Sequence, residues 1–500
     1  MSVKKNIIAN YSGNIFMVVI NILLVPLYLK HLSVEEYGII TFFASLMSVF
    51  VILDVGLGLT INKEVATSQA KVKNLNTTSD IIRSFELVYW FMALLIGLIL
   101  FIFSEWIATS WLNVEYIKKD DLTLIVSLMG LALIFRWPIS FYENVLSGFQ
   151  KMVSINTIKI IIGIFNFSFL FFLFTYFNLE IKGYFLFLAL VYFLQTGLLT
   201  STVWKVKDLT FLKAKFYLSI LKRNKNYILG IGIYSIIGTL YVAIDRFVIS
   251  NFFLTSELAY YSLASIASLS LFQLVYPISS ALFPKFVENY TKGKKEDSLF
   301  IFRKGYQLCM VLVFSFSSLL FIFQESIFIF WTQNELVTSK SLVFLNPVLL
   351  GTVFYTLHIL IISIYTALGK TKEINILYLF VFFLFFGLIL FFSFRQNMLF
   401  IAYSWCFSNA VLLILTFLLA IRLFSFNAFV LIFKKDIILP FSIYAVIVFL
   451  STVVGLPQMT LIQLISVIIV SMVVLLAIFT GCSHYMRNII LSKIKQIINS

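Results

Sequence analysis

Apolar runs of about 18–25 residues recur along the chain, each bounded by a short polar or charged segment. That length, wound as a helix, crosses ~30 Å of hydrocarbon. The pattern predicts fourteen spans, at 11–31, 37–60, 84–104, 122–145, 154–178, 183–204, 227–251, 258–284, 306–330, 342–367, 374–394, 399–421, 437–456 and 460–480. No alternating strand pattern of comparable extent competes with them. An all-α polytopic membrane protein is therefore expected.

Composition agrees, since 500 residues at 61% hydrophobic, 18% aromatic and 12% charged exclude a soluble protein. Charge then orients the spans. With both termini on the cytosolic side, 29 of the 37 Lys and Arg fall in or beside cytosolic segments, 6 fall outside, and Arg136 and Arg246 lie within spans. The carboxylates divide 9 inside, 10 outside and 3 within spans, with no such bias. Orientation follows Lys and Arg rather than net charge, so this asymmetry predicts a multi-pass protein with both termini in the cytosol. The formal +15 is topological, and a basic face beside anionic lipid accounts for it without a nucleic-acid partner. Lys4 and Lys5 precede the first run with no small-residue cleavage site, so the first helix is expected to be retained. Cys309, Cys406 and Cys482 lack metal-ligand spacing and read as packing residues.

The densest basic segment is Lys205–Lys225, with seven Lys and Arg between spans 6 and 7. Its middle, Phe211 to Leu221, reads as an amphipathic interfacial helix within a topogenic linker. This linker separates two copies of a repeat. Leu146–Asn156 (LSGFQKMVSIN) is echoed by Thr366–Asn375 (TALGKTKEIN), the glycines being 221 residues apart. Glu36-Tyr37-Gly38 is echoed by Glu257-Leu258-Ala259 at the same offset. The expected organisation is an N-lobe at 1–204, a basic linker at 205–226, a C-lobe at 227–425, and a C-terminal helix pair with its tail at 426–500. Parallel repeats of this kind rock around a site at the repeat interface.

Candidate chemistry comes from polar groups inside the spans. Arg136 and Glu143 lie seven residues apart, nearly two turns, and so share one helix face within about 20°. A guanidinium in a span costs roughly 2.5–3.5 kcal/mol on insertion scales, so it faces a bundle interior or an aqueous cavity. Asn10, Asn14 and Asn21 make a stripe on span 1 ahead of Pro26, read equally as helix–helix hydrogen bonding or cavity lining. Asp54 lies about two turns before the cytosolic end of span 2, beside Gly56 and Gly58, and reads equally as the partner of a neighbouring lysine or as a functional acid. In span 7, Tyr234, Tyr241 and Asp245 share a face while Arg246 is rotated by about 100°. His358 in span 10 reads first as a buried, hydrogen-bonded histidine and second as a protonatable group. The Phe-rich runs near 165–177 and 378–392 read as lipid-facing surfaces. No phosphate-binding Gly loop, catalytic Ser/His/Asp pattern or metal-ligand cluster is present in the sequence, so an enzyme is not expected.

The junction YENVLSGFQKMVSIN, the start PLYLKHLSVEEYGIITF with LDVGLGLT, and YVAIDRFVIS in span 7 together resemble a known family. It is that of Wzx-type O-antigen and polysaccharide flippases, within the multidrug/oligosaccharidyl-lipid/polysaccharide exporter superfamily. The resemblance implies two six-helix lobes in a V-shaped alternating-access arrangement around a cationic lumen. It implies a substrate, an oligosaccharide linked to undecaprenyl diphosphate, moved across the bacterial plasma (inner) membrane for O-antigen or lipopolysaccharide biosynthesis. A polysaccharide polymerase and a chain-length regulator are the protein partners it suggests. No cofactor is implied, and coupling to a H+ or Na+ gradient stays open. Arg136 is the first candidate for a diphosphate contact, because guanidinium binds phosphate bidentately. Arg246, Lys159, Asn14 and Asn21 follow as substrate-binding candidates. Asp54, Glu143, Asp245 and His358 are candidates for gating or coupling. The alternatives are a cation-coupled multidrug antiporter of the same superfamily, which often carries an acid in helix 1, and a lipid II flippase, which carries an arginine there. Helix 1 here has neither.

Overall fold

The structure, a computed structural model, describes residues 3–54, 56–70, 75–206, 209–424, 436–453, 461–483 and 487. The side chains of Asn10 and Tyr234 lie outside the described ones. In chain order the helices are α1 Val3–His31, α2 Val34–Asp54, α3 Leu57–Ala70, α4 Leu75–Ile102, a short α5 Ser104–Trp106, α6 Lys119–Gly148, α7 Met152–Phe177, α8 Ile181–Trp204, α9 Leu218–Phe252, α10 Thr255–Leu269 and α11 Phe272–Thr291. They continue as α12 Lys295–Thr332, α13 Glu335–Ala367, α14 Thr371–Phe394, α15 Met398–Phe424, α16 Ile438–Val453 and α17 Leu461–Cys482. The described residues contain no strand beyond a single bridge between Asn113 and Leu254. Among them, 11 helical segments are long and apolar enough to cross a membrane, and Ile438–Ser451 is a shorter apolar one. Each of the fourteen predicted spans falls on a helix or a helix pair. The protein is an all-α, multi-pass membrane protein.

Two predicted spans are broken. The span predicted at 37–60 is α2 followed by α3, because Gly56 adopts φ +83°, a left-handed turn that ends the first helix. The span predicted at 258–284 divides into α10 and α11 around Ser270 and Leu271. The apolar run continues through both breaks, which is why hydrophobicity alone does not register them.

The chain divides into two compact units, Met1–Ala259 and Tyr260–Ser500. In the first, α6 is the central element. Its Phe141, Tyr142, Val145 and Leu146 are buried between α3, α4 and α8. Pro138 removes one backbone donor and loosens the turn around Arg136. Thr196 of α8 donates to the neighbouring Phe135 carbonyl at 2.6 Å and ties that turn to α8. α1 lies along α7, with Gly13 against Asn156. α9 packs on α2, α3 and α4 and falls within this unit.

The connection between α4 and α6 is stitched to its neighbours by backbone capture. Glu35 at the start of α2 accepts the N–H groups of Glu115 and Tyr116. Asn113 Nδ2 donates to the Asn251 carbonyl at 2.7 Å, and Trp111 Nε1 to Ser250 Oγ at 3.0 Å. These bonds fix the far end of α9.

Phe211 to Leu221 is not the predicted amphipathic helix. It forms a turn at 211–213 and an extended stretch to Tyr217, where α9 takes over. The cause is competition for backbone donors. Ser79 Oγ accepts from Thr210 N–H at 3.2 Å, Asp80 Oδ1 from Lys215 N–H at 2.7 Å, and Ser84 Oγ from Tyr217 N–H at 2.9 Å. With those donors committed to α4, a local helix cannot form.

In the second unit, α12 carries the C-terminal pair. Phe314 stacks on Tyr444 of α16 at 4.6 Å between centroids and meets Phe479 of α17 at 5.6 Å. A bidentate pair pins the entry to α16. Arg303 donates from Nε and Nη2 to Asp436 at 2.6 and 3.1 Å, and Gln307 Nε2 adds a third bond at 2.7 Å. Asp436 is 1% exposed.

The repeat has a geometric counterpart, in a corrected register. After α6, Gln150 takes φ +56° and Lys151 N–H bonds back to the Leu146 carbonyl. After α13, Gly369 takes φ +69° and Lys370 N–H bonds back to the Tyr365 carbonyl. The equivalent turns are therefore 219 positions apart rather than 221, which also aligns Met152 with Thr371 and Asn156 with Asn375. Gly148 does not serve the turn at all. It sits within α6, where an added Cβ would lie 2.8 Å from the Asn62 carbonyl oxygen and 2.8 Å from Val65 Cβ. Gly148→Val is expected to cost about 1–3 kcal/mol by overpacking this α3–α6 contact, read as a lowered melting temperature in detergent.

Candidate functional site

The charged groups of α6 sit where three neighbouring helices bring polar partners. Arg136, Ser140 and Glu143 follow one another at helical spacing along one face. Pro138 lies between the first two. Ser140 Oγ donates to Asp54 Oδ2 at the end of α2, and Tyr89 Oη of α4 donates to Asp54 Oδ1. Arg136 is near enough to Asp54 for a charge interaction. The Arg136 guanidinium also faces the Tyr192 ring of α8 at 5.8 Å. Arg136, Ser140, Asp54 and Tyr192 are all half-buried. Two turns along, Glu143 Oε2 pairs with Lys159 Nζ of α7 at 2.9 Å, with 24% and 26% of the side chains exposed.

This arrangement separates one cation from the rest. Asp54 is held by two hydroxyls, and Glu143 and Lys159 neutralise each other. Arg136 carries five N–H donors in a planar fork, and its described neighbours are the ring and hydroxyl of Tyr192 and a carboxylate already hydrogen-bonded to two other hydroxyls. A half-exposed guanidinium so placed can receive an anion with two oxygens in one plane. The equivalents of Arg136 and Glu143 in the second unit, at the offset of 219, are Tyr355 and Ile362. Only the first copy of the repeat carries this charge.

The other candidates lie elsewhere. Asn14 and Asn21 are exposed along α1. Asp245 and Arg246 lie far along α9, one turn before Ser250. Arg246 donates from Nη2 to the Val242 carbonyl at 2.8 Å, and its Nε is 3.8 Å from Asp245 Oδ1. Asp245 is 5% exposed. His358 of α13 is 1% exposed and shares a 2.6 Å hydrogen bond with Tyr378 of α14, beside the Tyr355 ring at 4.9 Å.

Two charged groups escaped the sequence pattern. One is Asp436 with Arg303. The other is Glu86, 2% exposed, which accepts from Arg83 at 2.8 Å, Tyr142 Oη at 2.7 Å and Trp204 Nε1 at 3.1 Å. The i, i+3 spacing of Arg83 and Glu86 is a local signal for their pairing. The partners from α6 and α8 have no local signature.

The profile of the polysaccharide biosynthesis protein family matches residues 3–290. The chain belongs to the polysaccharide biosynthesis protein family. A second profile, MatE, matches residues 231–392. Among curated proteins, a candidate O-antigen transporter of Shigella flexneri is 22% identical over 383 residues, covering 74% of this chain and 86% of its own length. Among solved structures, the lipid II flippase MurJ in an inward closed conformation superposes with a TM-score of 0.72 at 15% identity, covering 97% of this chain and 99% of that one. An inward-facing multidrug resistance MATE family transporter of the MOP superfamily gives a TM-score of 0.70 at 12% identity, covering 85% and 95%. These structures share the fold. The chain is a multi-pass membrane protein of the polysaccharide biosynthesis protein family with the fold of these transporters.

Proposed function

We propose that this transporter carries an oligosaccharide linked to undecaprenyl diphosphate from the cytosolic to the outer leaflet of the bacterial plasma membrane. It acts by alternating access between lobes at 1–204 and 227–425, with 205–226 as linker, 426–500 appended, and both termini cytosolic. The product feeds O-antigen or a related surface glycan, and the polymerase and chain-length regulator of that assembly are its protein partners. The observation that carries the reading is Arg136, a half-exposed guanidinium among hydroxyls and a carboxylate in a member of this family. A diphosphate presents the paired oxygens that such a fork binds. Asn14 and Asn21 supply neutral hydrogen-bonding groups suited to sugar hydroxyls. Asp54, with Tyr89 and Ser140 as donors, is the group best placed to sense the charge on Arg136 and carry a coupling H+ or Na+.

A second reading, the cation-coupled multidrug antiporter, has the MatE match at 231–392 in its favour. Deleting the gene in its native bacterium separates the two. Loss of surface glycan, with diphosphate-linked repeat units accumulating on the inner leaflet, is the expected result. Unchanged glycan with raised sensitivity to cationic drugs would overturn it in favour of the antiporter.

A further inference from the structure

A groove of ≈ 370 Å³ opens on the first unit where α4, α6 and α8 meet. Its wall is aromatic, formed by Trp90, Phe135, Phe193, Trp204 and Phe211, with Thr196, Thr200 and Ser201 along the floor. Gly197 also lines it, and a Cβ built there meets nothing within 4 Å, so the space beside α8 is open. From Phe193 to Trp204 the groove follows eleven residues of helix, ~16 Å at 1.5 Å per residue. That is about half of a ~30 Å hydrocarbon core, the depth of one leaflet. Exposed Phe91, Leu94 and Leu198 flank the opening, which therefore faces lipid.

The segment that closes one end of the groove is rich in lysine. Phe211 is held there by Arg83, whose guanidinium lies 4.8 Å from the ring centroid. The segment around it, Thr210 to Tyr217, is clamped to α4 through Ser79, Asp80 and Ser84. Lys205, Lys213 and Lys215, on the segment that contributes Phe211 to the groove, are exposed, and Leu212 is 95% exposed. An exposed leucine between lysines, on a backbone fixed by hydrogen bonds, suits the boundary between acyl chains and anionic headgroups.

We propose that this groove is a binding site for one anionic phospholipid, its acyl chain along the aromatic wall and its phosphate among Lys205, Lys213 and Lys215. The charge of these lysines selects the anionic headgroup over a zwitterionic one. The depth of the groove matches a single acyl chain rather than a longer isoprenoid.

The test is native mass spectrometry of the purified full-length protein, equilibrated in mixed micelles with phosphatidylglycerol, phosphatidylcholine or a polyprenyl phosphate. One phosphatidylglycerol is expected to stay bound in preference to phosphatidylcholine. Lys213→Gln combined with Lys215→Gln should weaken its retention roughly thirty-fold, from the loss of two interfacial lysines. Gly197→Leu fills the open space while favouring the helix, and should abolish retention with the melting temperature preserved. Equal retention of phosphatidylcholine, preference for the polyprenyl phosphate, or undiminished phosphatidylglycerol in the lysine variant would each overturn the proposal.

Discussion

Arg136→Ala is expected to leave a folded, membrane-inserted protein whose transport of lipid-linked oligosaccharide falls on the order of 100-fold, or about 3 kcal/mol, within the range for truncating one partner of a desolvated charge contact. The fold should survive because Arg136 is half-exposed and its neighbours do not depend on it. Asp54 keeps its bonds from Ser140 and Tyr89. Arg136→Lys should recover only part of the rate, since an ammonium keeps the charge but lacks the planar fork. By contrast, Lys159→Ala should reduce transport far less, because its charge is already spent on Glu143 at 2.9 Å. Quantifying lipid-linked repeat units in each leaflet of complemented deletion strains checks all three. Equal rates for wild type and Arg136→Ala would remove Arg136 from the mechanism.

Asp436→Ala is expected to have the largest effect on stability. It leaves Arg303, 13% exposed, and Gln307, fully buried, without the carboxylate that accepts three bonds from them. Breaking a buried pair from one side costs roughly 3–5 kcal/mol, because the surviving charge loses its buried counter-ion. The consequence should be a sharp fall in melting temperature and in protein recovered from membranes. Arg303→Met combined with Asp436→Leu should restore much of the loss, since a matched apolar pair is often neutral relative to a buried ion pair. If the double variant is as unstable as the single one, the defect lies in the docking of α16 and not in the orphaned charge.

The helices were legible because membrane spans announce themselves in one dimension. Hydrophobic length gives position, and every predicted span has its helix. The exposed Phe171, Phe172 and Phe177 of α7, and Phe380, Phe383 and Phe391 of α14, fall within the Phe-rich runs read as lipid-facing. What escaped was set by contacts distant in sequence. The stretch after Phe211 has the composition of an amphipathic helix, yet hydroxyls and a carboxylate some 130 residues earlier take its backbone donors. The two-residue shift in the repeat arose because Gly148 and Gly369 look equivalent but do different work. Gly369 supplies a left-handed turn, whereas Gly148 allows close approach of α3.

The candidate site was legible in part for the same reason. A charge inside an apolar run stands out, so Arg136, Glu143 and Asp54 could be named from sequence, and helical phase placed Arg136 and Glu143 on one face. The hydroxyls that complete the network, Tyr89, Ser140 and Tyr192, are ordinary residues in ordinary helices. Only the packing of α4, α6 and α8 selects them. His358 shows the converse, a distinctive residue that packing places in a hydrogen bond with Tyr378.

The most direct test of the central claim uses purified protein in proteoliposomes, with an undecaprenyl-diphosphate-linked oligosaccharide incorporated and its exposure at each leaflet followed by an enzyme added outside. The account predicts that wild-type protein equilibrates the lipid-linked sugar across the bilayer, and that Arg136→Ala slows this on the order of 100-fold at equal protein content. No acceleration over protein-free vesicles, together with gradient-driven uptake of a cationic drug, would contradict it.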